Sequence, residues 1–329
     1  MERIQFEVRR ETPTMDHYRR GWLPAPNMGV AGMWMGAVLT DKAGEYYFGL
    51  RGADDFIPGM THPVLPTCGF RKLAKTLDTL PPHLFPAYST VDFFEPLSYA
   101  DDGEKLTLKF DSGRIEHDAD GLHWYDIGGR WELHGKTISD VSLIHVPPQD
   151  GIAMEFYYRH ELLKVTGRID DIEVEGHLHL DYAYGPPGTI YSELPIARQL
   201  QGMWVSWIHE YADGKLGGGF FWQGRGGLDF GPGYLLKDGV TTPLNDIVAR
   251  PTVNENGKLS ALDFDIGGES YSFDLNMTSS PIHFLGQISA DSSGELPVKS
   301  WCWVEYPEGK LSPAHLDIGI GRVKLARGR

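Results

Sequence analysis

Two short stretches of this 329-residue chain carry side chains able to move protons: HLHLD at 177–181 and WIHEY at 207–211. Both sit in strand-like sequence, where alternate residues share a face. His177, His179 and Asp181 therefore form one row, spaced as a metal site could use. Asp171, Glu173 and Glu175 continue that row, as on a solvated face. His209 differs, because Met203, Val205, Trp207 and Tyr211 share its face. Burying an imidazole without a partner costs roughly 1–3 kcal/mol, against a total stability of about 5–15 kcal/mol. His209 thus requires a hydrogen-bond partner, a wet cleft or an acid–base role. A desolvated carboxylic acid has a raised pKa and can protonate an alkene or a leaving hydroxyl, and aromatic faces stabilise the cation that forms. In that chemistry Glu210 or Asp181 is the acid and His209 the base. Trp207, Tyr211 and Trp222 form the walls. Tyr182 and Tyr191, in the linking stretch YAYGPPGTIYSELP (182–195), line the same cleft.

The elements that position these residues occur twice. GMW stands at 32–34 and again at 202–204. YYFGLRG (46–52) is matched by FFWQGRG (220–226), so Arg51 and Arg225 recur, either as fold residues or as substrate contacts. HLDYAYG (179–185) is matched by HLDIGIG (315–321). Three matches in one order indicate an internal duplication, with domains at 1–188 and 189–329. The first copy is longer, and 54–90 is the place for the insertion, with one short helix expected in RKLAKTLDTL. Elsewhere KLTLKF, DVSLIHV, AMEFYYRHEL and DIEVEGHLHLDY alternate as strands. So many linked antiparallel strands close into barrels, which removes the exposed edge. The fold class is all-β: two antiparallel barrels packed side by side, with little helix.

G-x-W at the head of a first strand resembles the signature of the lipocalins and the wider calycin group. Two such barrels in one chain resemble the AttH-type proteins and the carotenoid 1,2-hydratases (hydroxyneurosporene synthases). The resemblance implies that the tryptophan plugs the closed end of each barrel, with an arginine near the last strand over it. Arg322 holds that place for Trp204, and Pro186 stands at the matching point of copy one. If Trp204 points inward, so do Ser206, Ile208 and Glu210. Met203, Val205, Trp207 and His209 then face outward, as do Met33, Met35, Ala37 and Leu39 in copy one. Two apolar outer strips imply that the barrels pack through them. His209 stands where copy one has Leu39, which places an ionisable group at that junction.

The resemblance also implies chemistry on a largely apolar small molecule: an isoprenoid, a polyketide or an aromatic compound. The reaction expected is addition or removal of water at a double bond, or an isomerisation or cyclisation, with no cofactor and no metal. The alternative is a non-catalytic carrier of a hydrophobic ligand; a carbohydrate-directed protein is a third reading, since tryptophan stacks on sugars. A formal charge of −15 with no basic run excludes a nucleic-acid partner, and no apolar stretch is long enough to span a bilayer. Cys68 and Cys302 form no CxxC pair. A cytoplasmic location is expected, and a homodimer is compatible with the sequence.

Overall fold

The structure, a computed structural model, describes residues 3–63, 70–72, 94–255, 258–278, 282–292 and 294–306. Among the described residues its first sheet has fourteen strands and its second nine, and neighbouring strands are antiparallel. In the first, the GMW strand Gly29–Asp41 lies between Tyr46–Ala53 and Ile172–Gly185. The sheet continues through Phe156–Ile169, Trp131–Thr137, Gly121–Asp126, Gly113–Asp118 and Leu106–Phe110 to Ser98–Asp101. Its other edge ends in Met60–Pro63 and Glu95–Pro96. Only Leu97 separates the two edge strands, and its N–H donates to the Gly59 carbonyl at 2.8 Å. One segment thus serves both edges and nearly closes the barrel.

The second sheet repeats the plan. Its GMW strand, Gln201–Glu210, lies between Leu216–Gly224 and Lys299–Glu305. Its edge strands, Val240–Leu244 and Ile247–Val253, share no ladder, so this sheet is a half-barrel. Tight hairpins link its far strands. At Gly267-Gly268, φ of 58° and 84° lies in the left-handed region that glycine adopts without strain, as a two-residue turn between twisted strands favours.

Registers correct one expected match. Trp34 lies opposite Asp181, and Trp204 lies opposite Glu305. The strand that occupies the place of HLDYAYG in the second sheet is therefore Lys299–Glu305. HLDIGIG (315–321) and Arg322 lie outside the described residues, as does Cys68. WCWVE (301–305) thus stands against HLHLD (177–181): Trp301 for His177, Trp303 for His179 and Glu305 for Asp181. Of the insertion at 54–90, residues 64–69 and 73–90 lie outside the described residues. Phe70–Lys72, which runs into the expected helix RKLAKTLDTL, is a strand on Tyr46–Ala53.

The expected facing of the GMW strands is inverted. Met33, Met35, Ala37 and Leu39 fill the first barrel, and Met203, Val205 and Trp207 fill the half-barrel. Trp34, Val38, Trp204 and Ile208 instead join a third core, which lies between the two sheets. Period two sorts residues into faces but carries no sign. Both faces of each strand are buried, so apolarity could not tell the barrel interior from the junction. The tryptophans glue the barrels together rather than plug their ends.

Candidate active site between the barrels

The hairpin Phe156–Ile169/Ile172–Gly185 turns alternate residues towards the second sheet: Tyr158, His160, His177, His179 and Asp181. All five are buried. The antiparallel register puts His160 directly opposite Asp181 and Leu162 opposite His179. From the second sheet come Trp204, Ser206, Phe220, Trp222, Tyr234 and Trp303. The row read in sequence as a continuous solvated face is thus dry from His177 onward, because a second sheet covers it. Only its far end meets water, where Glu175 pairs with Lys299 at 2.6 Å.

Each imidazole is held differently. His177 Nε2 lies 2.9 Å from Ser206 Oγ. His179 is wedged edge-to-face between Trp204 and Trp303, at 4.7 and 4.6 Å between ring centres. His160 stacks on Phe220 at 4.0 Å, and its Nδ1 lies 2.8 Å from the Tyr234 hydroxyl. Ser139 Oγ accepts the Leu162 N–H at 2.9 Å. With the Tyr234 hydroxyl donating to Nδ1, the His160 proton sits on Nε2. That nitrogen points at Asp181 Oδ1, 3.7 Å away, while His179 Nε2 lies 3.6 Å from Oδ2.

Burial sets the protonation states. Desolvation holds His160 and His179 well below the usual imidazole range and lowers His177 to about 3. Desolvation likewise raises the Asp181 carboxyl well above its usual value; the Tyr158 hydroxyl opposes that shift and nearby Glu305 reinforces it. Tyr158 also accepts the Trp204 indole N–H at 3.1 Å. The result is a neutral carboxylic acid flanked by two neutral imidazoles inside an aromatic box. Asp181 Oδ1, His160 Nε2, His177 Nδ1, His179 Nδ1 and the Trp303 indole N–H have no hydrogen-bond partner among the described residues. Each such group costs about 1–3 kcal/mol. Polar groups of a bound molecule would relieve that cost.

Gly36 makes room for the box. A Cβ there would lie 2.5 Å from His179 Nε2 and 2.8 Å from the Trp303 ring. Towards the surface the polar row continues into Glu305, which sits 3.3 Å from both Gln201 Nε2 and His283 Nε2. The Tyr191 hydroxyl donates to Gln201 at 3.0 Å.

Of the residues singled out in sequence, Asp181 and Trp222 belong to this box, Trp222 packing on Tyr158 at 4.2 Å. Tyr191 lies at its edge. The others are elsewhere. His209 and Glu210 are strand neighbours and face opposite ways, so they cannot act as a pair. His209 is buried on the half-barrel side beside Tyr211 and Tyr271, and burial lowers its pKa to about 4. Glu210 faces the first barrel and pairs with Lys164. Trp207 packs among Phe264, Tyr271 and Phe273, and the Tyr211 hydroxyl donates to Asp291 at 2.6 Å. Tyr182 lies inside the first barrel, its ring 4.5 Å from the Arg159 guanidinium. Arg51 is also there, gripping Asp126 through two 2.7 Å hydrogen bonds. Arg225 donates instead to the Arg198 and Gln201 carbonyls at a turn, so the two arginines have different surroundings.

Sequence reasoning missed Tyr158, His160, Tyr234 and Glu305. His160 was within reach: a hairpin turning at Asp170-Asp171 pairs residue 160 with residue 181.

No family model matches the chain, and no curated protein matches it. Among solved structures it is similar to a protein named AttH from Nitrosomonas europaea, at 14% identity over 90% of this chain and 97% of that one, with a TM-score of 0.46. It is also similar to kievitone hydratase from Nectria haematococca, at 11% identity over 85% and 90%, with a TM-score of 0.37.

Proposed function

We propose that the protein adds water to, or removes it from, a largely apolar small molecule in the box between the barrels, with Asp181 as the acid. One observation carries this reading: a carboxyl kept protonated by burial stands within 3.7 Å of two imidazoles kept neutral by the same burial. Proton donor, proton acceptor and aromatic walls coincide there. In the dehydration direction Asp181 protonates the substrate hydroxyl and water departs. Trp204, Trp303 and Phe220 stabilise the carbocation. His179 Nε2 removes a proton from the adjacent carbon, which forms the double bond. The imidazolium then returns its proton to the Asp181 carboxylate, 3.6 Å away, and the cycle closes without a redox change. Hydration is the reverse.

The test is isotope exchange. Tertiary and allylic isoprenoid or phenolic alcohols are incubated with the protein in ¹⁸O-labelled water. The expected outcome is exchange of the substrate hydroxyl, reduced at least about 100-fold by Asp181→Asn, the scale of general acid catalysis. Exchange that persists at the wild-type rate in that variant would overturn the assignment.

The carrier reading has an observation of its own. A cavity of about 510 Å³ opens at the mouth of the first barrel, lined by Arg19, Arg20, Trp22, Tyr99 and Leu106. That volume suits a small ligand. A compound recovered unchanged from this cavity, with no exchange on any alcohol, would favour carriage over catalysis.

A further inference from the structure

The outer wall of the first barrel carries a feature unrelated to the box. In Gly121–Asp126 and Trp131–Thr137, the inward residues Leu122, Trp124, Trp131 and Leu133 fill the barrel. Alternation turns His123 and His134 outward, and the ladder sets them directly opposite each other. Their Nδ1 atoms lie 2.6 Å apart, with the ring planes nearly perpendicular at 82°. Each distal nitrogen faces a carboxylate. His123 Nε2 is 3.5 Å from Asp118, and His134 Nε2 is 3.3 Å from Glu132. Arg168 hydrogen-bonds Glu132 and holds its pKa below the usual carboxylate range.

From this convergence we infer that His123 and His134 form a two-histidine site for a borderline divalent transition metal such as Zn²⁺ or Cu²⁺. A carboxylate faces the Nε2 of each ring, hydrogen-bonded at His134 and 3.5 Å away at His123, and favours the tautomer that leaves both Nδ1 lone pairs aimed at one point. Two lone pairs at that separation repel unless a proton or a metal lies between them. A carboxylate behind each ligating imidazole is the arrangement that fixes its tautomer and raises its basicity towards a metal. Zinc–imidazole bonds of about 2.0–2.1 Å at a tetrahedral angle need the nitrogens about 3.3 Å apart. Small side-chain rotations on an open strand surface supply the difference. No third His, Cys, Asp or Glu of the described residues completes a larger ligand group, so water fills the remaining positions. Imidazole donors select Zn²⁺, Cu²⁺ or Ni²⁺ over Ca²⁺ and Mg²⁺, which prefer oxygen.

The test uses the full chain without an affinity tag, stripped with EDTA, then titrated with Zn²⁺ by calorimetry at pH 7.5. One equivalent is expected to bind in the micromolar range. His123→Gln and His134→Gln should each weaken binding at least tenfold, and Glu132→Gln about tenfold. The same chain loaded with one equivalent of Cu²⁺ should show an electron paramagnetic resonance spectrum split by two nitrogens. Binding retained in the double His123→Gln/His134→Gln variant, or a copper spectrum without two-nitrogen splitting, would overturn the site. Both histidines lie on the surface, so the variants keep the fold, and the copper spectrum needs no variant.

Discussion

Asp181 holds its proton because water is kept from it, and that has a cost with a definite sign. Its folded pKa lies well above that of the unfolded chain. Between the two values the folded state binds one more proton than the unfolded state. The stabilisation is therefore complete below the unfolded value, about 3.9, and is lost as pH rises through the folded one. Asp181→Asn keeps the shape and never ionises. Its stability relative to wild type should rise by about 1.4 kcal/mol for each pH unit across that window. Guanidinium midpoints for the two proteins at pH 5, 6.5 and 8 would show this, and a gap that does not change with pH would mean Asp181 is solvated. Strand alternation alone told that His177, His179 and Asp181 share a face. That the face is dry was not legible, because dryness comes from a second sheet whose covering residues, from Trp204 to Trp303, lie in the other half of the chain.

At the scale of the element, each GMW strand is buried on both faces, and the two copies solve one packing problem differently. Gly36 and Ser206 occupy equivalent places on the junction face, opposite His179 and Trp303 respectively. The first must be small so that His179 and Trp303 can meet over it. The second supplies the oxygen that satisfies His177. Gly36→Ala should cost about 1–3 kcal/mol by overpacking and should also lower turnover by displacing His179. Ser206→Ala should cost a similar amount, about 1–3 kcal/mol, by leaving the His177 nitrogen unpaired, with turnover within a few fold. Thermal denaturation and exchange rates measured on both variants separate the two mechanisms. Equal kinetic loss in both would argue that His179 has no special place. The strands themselves and the two-barrel plan were legible, because hydrophobic period and repeated residues are local. The direction of each face was not. Nor was the closing strand of the second sheet, since WCWVE shares only its alternation with HLHLD.

Over the whole molecule, five of the eight buried histidines among the described residues decide how the protein meets acid. His117 and His177 are lowered to about 3 and His209 to about 4, while His160 and His179 lie well below the usual range. Desolvation is the leading cause in every case. In the unfolded chain each titrates near 6.5. Below that pH the unfolded state takes up protons that the native state refuses, so stability falls as pH falls. Each histidine contributes about 1.4 kcal/mol for each pH unit. Acting together, five of them match the whole stability of a domain, about 5–15 kcal/mol, within one to two units. The protein should therefore unfold cooperatively between about pH 6 and 4, with uptake of roughly five protons, although its many carboxylates alone would allow a lower limit. Ser206 ties His177 to the second sheet, so replacing His177 with Asn removes one titrating group at a fixed site. The acid limb of the stability curve should lose about one proton of slope in that variant. Asp181 bends the curve the other way above about pH 4, so the maximum lies where the histidines have discharged and the aspartic acid still holds its proton. Denaturant midpoints taken every half unit from pH 4 to 8 would locate it. A flat profile down to pH 4 would mean that water reaches the junction and that the barrels are less tightly sealed than their packing indicates.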